Sequence, residues 1–187
     1  MEENPFLVLE GMDGAGKGTI RDLIIEELKR LGRNFVYTRE PGGTPISEEL
    51  RQILLFSDKK LGEKVTLESE TLLMMSARSQ LVNNVIKPAL ERGYGVLSER
   101  FVYSTYAYQG ARGSSVEDIA AIDNFVLKGF RPTATIFLDV DLETSKRRVG
   151  KRDVIDHFEK DADKDFNRAR EIYLEFAKKE PDTFKVI

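Results

Sequence analysis

The stretch FLVLEGMDGAGK at residues 6–17 decides the fold that this sequence predicts. Residues 6–10 form a continuous apolar run that ends in an acid, which is typical of a strand buried in a parallel sheet. Residues 11–17 match the pattern G-x4-G-K, a glycine-rich turn that ends at a lysine. A helical spacing follows and places five apolar side chains on one face: Ile20, Leu23, Ile24, Leu28 and Leu31. The stretch therefore predicts a strand, a phosphate-binding turn and a helix in succession.

The same alternation of strands and helices continues to the end of the chain. Further strands are predicted at residues 35–38, 96–99, 135–140 and 184–187. The longest helical region covers residues 67–92, where Pro88 should introduce a kink. Its expected core face consists of Leu72, Leu73, Leu81, Val85 and Ile86. Ser115 and Asp141 are predicted helix caps. The pattern indicates an α/β fold, a doubly wound five-stranded parallel sheet with right-handed crossovers.

Length and composition limit the classes of protein that this chain can belong to. With 187 residues it is long enough for one domain, predicted as residues 1–187, and short for two. It has no cysteine and one histidine, which excludes disulfide scaffolds and cysteine nucleophiles and disfavours a histidine metal cluster. The formal charge of −3 disfavours broad contact with nucleic acid, and no apolar run reaches the ~20 residues of a membrane helix. These features predict a cytoplasmic enzyme.

The glycine-rich turn predicts a cradle for a triphosphate. Glycines let backbone amides converge on phosphate oxygens at a helix N-terminus, and Lys17 adds a mobile positive charge for the β- and γ-phosphates. The predicted ATP-binding residues are Gly11, Met12, Asp13, Gly14, Ala15, Gly16, Lys17, Gly18 and Thr19. Gly18 replaces the usual Ser or Thr ligand of magnesium, so that contact must come through water or from elsewhere; Thr19 still offers a hydroxyl. Asp13 is an acid in an anion-binding loop, which favours a hydroxyl-binding role. The alternative is a glycine-rich turn without a ligand.

Five segments, taken in order along the chain, carry a family resemblance. They are EGMDGAGK at 10–17, TREPGGT at 38–44, ARSQ at 77–80, ERF at 99–101 and STYAYQG at 104–110. Together they resemble the thymidylate kinase family, which is part of the nucleoside monophosphate kinase group of P-loop enzymes. The resemblance covers nearly the whole chain and implies a P-loop kinase fold with a short lid. It also implies Mg²⁺-dependent phosphorylation of dTMP by ATP in dTTP biosynthesis, and a homodimer with residues 71–90 as its candidate face.

The resemblance implies where dTMP binds. The predicted dTMP-binding residues are Asp13, Arg39, Pro41, Arg51, Met74, Arg78, Arg100, Thr105, Tyr108 and Gln109. Arg78 matches the arginine that hydrogen-bonds the thymine edge, and Tyr108 matches the tyrosine that crowds the sugar 2′ position. Asp13 would then take the 3′-hydroxyl. Met74 replaces an aromatic residue that stacks on the base, and is alternatively a core residue of its helix. Arg51 is either a phosphate ligand or a solvated helix arginine.

The predicted catalytic residues are Lys17, Glu99, Arg100, Arg147, Arg148 and Arg152. Glu99 replaces the family's usual aspartate and should hold Mg²⁺, directly or through water, while Arg100 should bridge the donor and acceptor phosphates. The basic segment 146–152, expected between two helices, belongs to a lid at about 146–158. Because Ala15 leaves no arginine in the cradle, a lid arginine should act in catalysis. His157 replaces a family arginine and is alternatively an exposed residue at a helix start.

Two other functions stay open from the sequence alone. The segment GKGT at 16–19 also resembles adenylate kinase, which makes another nucleoside monophosphate kinase the nearest alternative, although Arg78 with Tyr108 and Gln109 argues against it. The departures from the family pattern leave room for a nucleotide-binding regulator that has lost catalysis. The family's closing helix after the fifth strand has no counterpart within these 187 residues, so the way in which adenine is held stays open.

Overall fold

Five parallel strands make up the sheet in the described part of the chain, as the sequence predicts. The computed structural model describes residues 4–150 and 157–187, and in the last helix it describes side chains from residue 165 onward. In chain order, strands β1 to β5 are Phe6–Gly11, Phe35–Arg39, Gly95–Glu99, Ala134–Leu138 and Phe184–Val186. They lie in the order β2-β3-β1-β4-β5, so the direction of winding reverses at β2 and a crevice forms beside β1 and β3.

Helices connect these strands. Within the described ranges, α1 to α8 are Lys17–Arg30, Pro45–Lys60, Leu67–Leu81, Lys87–Glu91, Val102–Ala111, Val116–Leu127, Leu142–Val149 and His157–Lys179. Both predicted caps are confirmed, because the Ser115 hydroxyl accepts the amide of Asp118 and the Asp141 carboxylate accepts the amide of Thr144. β4 ends two residues earlier than predicted, at Leu138.

Helix α1 differs from the amphipathic helix that the sequence predicts. Leu23 is 57% exposed and Leu31 is 53% exposed, so neither belongs to the core. Right-handed crossovers place α1 on one face of the sheet and the later helices on the other. The main contact of α1 is with β1, while the later helices also pack against one another. Of the five residues on the predicted face, these two are exposed and the other three are only partly buried.

The long helical region from α3 to α4 contains a change in helical pitch. A π-helical turn, Val82–Ile86, lies between the two helices and ends two residues before Pro88. Proline lacks an amide donor and its ring crowds the carbonyl four residues earlier, which is Asn84, so wider spacing relieves this conflict. The predicted core face is wrong at Leu72, which is 52% exposed, whereas Leu81 and Ile86 are fully buried.

The core lies between the sheet and the later helices. Phe137 of β4 stacks on Tyr173 of α8 with ring centroids 4.5 Å apart, and Phe6 of β1 meets Phe101 edge-on at 5.0 Å. Phe101 directly precedes α5, so these ring contacts hold the start of β1 against the start of α5, and β4 against α8. None of the helices in residues 4–150 and 157–187 combines the length and the apolar character that a bilayer crossing requires.

Candidate active site

The start of α1 offers unoccupied backbone donors. Four other helices carry a side-chain cap, supplied by Thr44, Thr66, Ser115 and Asp141. In contrast, the residue before α1 is Gly16, in the left-handed region at φ 96°, and no side chain caps this helix or places an acid in its first turn. The first amides of a helix that lacks such a cap favour an anion. This is the predicted phosphate cradle.

Lys17 is buried and turned back onto the loop that precedes it. Its Nζ donates to the carbonyls of Gly11 at 3.1 Å and Met12 at 3.2 Å, and it lies 3.9 Å from a carboxylate oxygen of Asp13. Burial, with a smaller contribution from the charge of Arg100, lowers the pKa of Lys17 to about 8. A phosphate beside Nζ would restore the charged form.

Helix α7 packs directly on the cradle. Gly14 has φ 78°, and a Cβ atom there would lie 2.8 Å from the carbonyl oxygen of Ser145, so a larger residue does not fit. The Ser145 hydroxyl donates to the carbonyl of Asp13 at 2.7 Å, and Arg148 donates to the carbonyl of Gly14 at 3.0 Å. The helix that leads into the predicted lid therefore touches the backbone of the loop.

The basic segment of the lid differs from its prediction. Lys146, Arg147 and Arg148 form the last turn of α7 rather than a connection between helices, because Asp141 starts the helix and the C-terminal end of a helix favours basic residues. Arg147 and Arg148 are both exposed, and of the two it is Arg148 that donates to the cradle, at the carbonyl of Gly14. Arg152 lies outside the described residues, and so does the side chain of His157.

One cavity at the carboxyl edge of the sheet brings together all ten residues predicted to bind dTMP. They line it with four others, and the full set is Asp13, Arg39, Glu40, Pro41, Arg51, Leu55, Met74, Arg78, Glu99, Arg100, Ser104, Thr105, Tyr108 and Gln109. The sequence left Met74 as either a residue of the base site or a core residue of its helix. The structure has Met74 at the cavity wall, and its neighbour Met75 is buried in the core.

Arg100 is held from several sides at the centre of this cavity. Its guanidinium donates to Asp13 at 2.6 Å, to the Tyr108 hydroxyl at 3.0 Å and to Ser104 at 3.2 Å, and it lies over the Tyr108 ring. Burial raises the pKa of Tyr108, which keeps this phenol neutral. The backbone of Arg100 is left-handed at φ 70°, a conformation that is uncommon for a residue with a side chain.

Glu10 stabilises the turn that contains Arg100. Its fully buried carboxylate accepts the amides of Phe101 and Ser104, and so takes the place of a cap at the start of α5. The same carboxylate accepts the hydroxyls of Ser104 at 2.7 Å and Tyr173 at 2.9 Å, which ties α8 to the end of β1. Burial raises the pKa of Glu10, and the hydrogen bond from Ser104 opposes that shift.

Arg78 forms a buried ion pair with Glu40. Nε and Nη2 of Arg78 lie 2.8 Å and 2.6 Å from the same carboxylate oxygen, and the two side chains are 2% and 5% exposed. Nη2 also donates to the carbonyl of Phe101 and the hydroxyl of Thr105. Nε and Nη2 therefore have oxygen acceptors within the protein, while Nη1 lies 3.1 Å from the sulfur of Met75, a weak acceptor.

The two other cavity arginines are anchored by the loop and helix α2 that follow β2. Arg39 makes a bidentate pair with Glu48, and the hydrogen bonds from Arg39 lower the pKa of Glu48 to about 2. Arg51 donates to the carbonyl of Pro41 at 2.9 Å. Both guanidinium groups face the cavity from one side, which is a favourable arrangement for a phosphate.

Glu99 provides a carboxylate at the boundary between the cradle and the cavity. Its Oε2 accepts the Tyr37 hydroxyl at 3.3 Å and lies 3.8 Å from Arg21, and 23% of the side chain is exposed. Among the residues that the structure describes, no group of three or more acidic or histidine side chains could hold a metal ion. A single carboxylate with water and substrate phosphates is a donor set that Mg²⁺ accepts, so the residues present fit this ion. Thr19 is exposed on α1.

Comparison with known proteins identifies the family. The family model described as thymidylate kinase matches residues 9–187. The chain belongs to the thymidylate kinase family. It is 44% identical to a thymidylate kinase of Neisseria meningitidis over 97% of the chain and 87% of that relative, and 42% identical to one of Pseudomonas putida with the same coverage. The solved thymidylate kinase from Ehrlichia chaffeensis has 29% identity and a TM-score of 0.79, and the match covers 98% of this chain and 88% of that one.

Family membership confirms the central prediction from the sequence. The chain is a phosphotransferase of the dTMP kinase type that uses ATP as the phosphoryl donor, and the adenylate kinase alternative is not favoured. Sequence reasoning did not assign roles to four residues of this network: Glu10, Glu40, Ser104 and Tyr173. Glu40 contacts Arg78 and Ser104 contacts Arg100. Glu10 and Tyr173 in turn hydrogen-bond to Ser104. The acid at the end of the first strand was the one available signal, because an acid in a buried strand requires partners.

Proposed function

We propose that this chain transfers the γ-phosphoryl group of ATP to dTMP, with the triphosphate on the loop at residues 11–19 and dTMP in the adjoining cavity. The observation that carries this proposal is the convergence of all ten predicted dTMP-binding residues on one cavity beside the uncapped start of α1. The two nucleotides would then meet end to end at Arg100.

The cradle would bind the ATP phosphates through its amides and through Lys17. Phosphate oxygens would replace the carbonyls of Gly11 and Met12 as partners of Nζ. Glu99 would hold Mg²⁺, directly or through water, and the bound ion supplies positive charge to the phosphate oxygens. Arg100 and Lys17 add the positive charge that the protein itself contributes.

The cavity would orient dTMP by its three parts. Arg39 and Arg51 would bind the 5′-phosphate, and Asp13 would accept the 3′-hydroxyl. Arg78, Thr105 and Gln109 would contact the base. Tyr108 would occupy the space of a 2′-hydroxyl, which favours deoxyribose, and Met74 would pack on the base through its polarizable sulfur. Each of these side chains lines the same cavity.

The transfer requires alignment and charge neutralisation more than acid–base chemistry. A phosphate oxygen of dTMP forms the new bond to the γ-phosphorus, and the bond from that phosphorus to the β–γ bridging oxygen breaks. The attacking oxygen is already anionic, so a strong general base is not required. Arg100 and a lid arginine would offset the negative charge shared by the two phosphates, and Arg148 is the described lid arginine that contacts the cradle. The lid as a whole would exclude water.

A substrate panel tests the proposal. Purified protein is assayed for ADP formation with ATP, Mg²⁺ and each of dTMP, dUMP, AMP, GMP and CMP. We expect the highest kcat/KM with dTMP. Turnover of AMP above that of dTMP would overturn the choice of acceptor, and tight binding of dTMP and ATP without formation of dTDP would instead favour a regulator. The same assay in EDTA should show no turnover if Mg²⁺ is required.

We also propose that the protein is a cytoplasmic homodimer whose interface is formed by residues 71–90 and helix α6. Helices α3 and α6 contact each other, and both expose apolar side chains, with Leu72 52%, Val116 59% and Phe125 78% exposed. Exposed apolar residues that lie close together favour an interface between proteins. Sedimentation equilibrium should give twice the mass of 21.3 kDa. The substitution Phe125→Asp should shift the protein toward the monomer, and a monomeric wild type would overturn this proposal.

A further inference from the structure

Gln109 is held by an acid that lies behind the cavity wall. Glu70 of α3 is 1% exposed, and its Oε1 accepts Nε2 of Gln109 at 2.8 Å and a guanidinium N–H of Arg112 at 2.5 Å. An ionised carboxylate accepts hydrogen bonds and cannot donate them. The side-chain amide of Gln109 must therefore turn its NH₂ group toward Glu70 and away from the cavity.

The opposite end of the Gln109 amide is left for a ligand. Gln109 lines the cavity, and its Oε1 accepts no hydrogen bond from any residue that the structure describes. Gln109 lies one helical turn after Thr105 on the same face of α5, and Thr105 is hydrogen-bonded to Arg78. The carbonyl of Gln109 is thus a directed acceptor one turn away from Arg78.

Arg78 supplies the matching donor. Glu40 and Thr105, with the carbonyl of Phe101, take Nε and Nη2, while Nη1 has only the weak sulfur acceptor of Met75 among the described residues. Nη1 can therefore still donate a strong hydrogen bond. The base end of the cavity presents one fixed donor and one fixed acceptor, each oriented by a buried carboxylate.

We propose that Glu70 is a positioning residue that determines the preference of this site for thymine over cytosine. The inference rests on the proposed function. Thymine carries an acceptor at O4 and a donor at N3, which complement Arg78 and the carbonyl of Gln109. Cytosine carries a donor at the 4-position and an acceptor at N3, the reverse pattern. Rotation of the Gln109 amide would offer a donor to cytosine N3, and the carboxylate of Glu70 prevents this rotation.

The substitution Glu70→Gln tests this role, because a glutamine at this position can face Gln109 with either its oxygen or its nitrogen. We expect the ratio of kcat/KM for dTMP to that for dCMP to fall about fivefold or more, since an unpaired buried polar group costs about 1–3 kcal/mol. Glu68→Gln, an exposed position on the same helix, is the matched control and should leave the ratio unchanged. If dCMP turnover is too slow to measure, the ratio of the dissociation constants of dCMP and dTMP, measured by calorimetry, takes the place of the kinetic ratio.

A double-mutant cycle separates positioning from a general structural effect. In a Gln109→Met background, Glu70→Gln should no longer change the ratio, because the group through which it acts is gone. Equal losses for dTMP and dCMP in Glu70→Gln, or an unchanged ratio, would overturn the role of Glu70. If Glu70→Gln does not fold, Gln109→Met alone carries the test, and a ratio retained in that variant overturns the inference. Failure of the wild type to phosphorylate dTMP would instead overturn the proposed function.

Discussion

Nη2 of Arg100 lies 2.6 Å from Oδ1 of Asp13, so the arginine that follows β3 is tied to the loop that follows β1. Arg100 is predicted to bind the phosphates of the two substrates, and Asp13 is predicted to bind the 3′-hydroxyl of dTMP. Their pairing places both groups before any nucleotide binds, and the left-handed backbone of Arg100 is retained by the hydrogen bonds around it. Preorganised charge of this kind lowers the cost of binding two anions in line.

Arg100→Ala should reduce kcat by about a thousandfold or more, as expected for an arginine that stabilises a phosphoryl-transfer transition state. The variant should keep its far-ultraviolet circular dichroism and its melting temperature within a few degrees. Arg168→Ala is the control, because Arg168 makes exposed ion pairs with Glu171 and Glu175 on α8. A near-normal rate for Arg100→Ala would contradict the proposed role.

Nucleotide binding should take up a proton at Lys17. With a pKa of about 8 in the free protein, about half of the molecules lack this charge at pH 8, and bound phosphate favours the charged form. ADP binding at pH 8 should therefore take up about half a proton per site, and affinity should fall as the pH rises further. Calorimetry in two buffers of different ionisation enthalpy measures this uptake.

The Lys17 experiment has two controls, one at lower pH and one in the variant Lys17→Ala. At pH 6.5 the lysine is already charged, so its own contribution should be close to zero, and wild type and Lys17→Ala should differ little in proton exchange. Lys17→Ala should lose both the uptake and nearly all turnover while remaining folded. Equal uptake in wild type and Lys17→Ala would assign the proton to another group.

Arg148 and Arg147 offer a matched comparison in the lid helix. Both side chains are exposed on α7, but Arg148 donates to the carbonyl of Gly14, a contact that Arg147 does not make within the described residues. We expect Arg148→Ala to lower kcat about a hundredfold, in the range of a lost charge-stabilising donor, and Arg147→Ala to have little effect. Steady-state kinetics with saturating ATP and dTMP measures both. The reverse order of the two effects would show that the lid acts through Arg147.

Met74→Phe should tighten the binding of dTMP. An aromatic ring at the cavity wall can stack on a base, a contact worth about 1–3 kcal/mol, so the dissociation constant should fall about fivefold or more. Leu72→Phe is the control, because that position is exposed on the same helix. An unchanged dissociation constant in Met74→Phe would mean that residue 74 does not contact the base.

Two arginine–glutamate pairs should differ sharply in their contribution to stability. Glu40→Ala leaves the buried guanidinium of Arg78 without a counter-charge and should lower the free energy of unfolding by about 3–5 kcal/mol. Glu48→Ala breaks a pair whose side chains are about 40% exposed, where about 1 kcal/mol or less is expected. Urea denaturation followed by circular dichroism measures both values. Similar losses in the two variants would contradict the burial argument.

The order of strands and helices was predictable because it depends on patterns within short stretches of chain. Residues 6–17 contain the buried strand, the glycines at left-handed positions and the lysine of the cradle, all within twelve consecutive positions. The positions of the cavity residues after β1, β2 and β3 were also predictable in outline, since the carboxyl ends of parallel strands share one edge. The resemblance to the family supplied their roles.

The hydrogen bonds that orient these residues depend on the tertiary structure. Glu40 meets Arg78 across 38 positions, Glu70 meets Gln109 across 39, and Glu10 meets Tyr173 across 163. The exposure of Leu23 and Leu72 was likewise decided by which faces the other elements cover, and a helical spacing carries no information about that.

The sequence by itself therefore determined the phosphate-binding loop, the alternation of elements and the set of groups available at the sheet edge, because propensity and periodicity are local properties. The tertiary structure alone decided which carboxylate holds which donor, because a buried charge is stable only beside a partner that the packing of the sheet and helices brings to it.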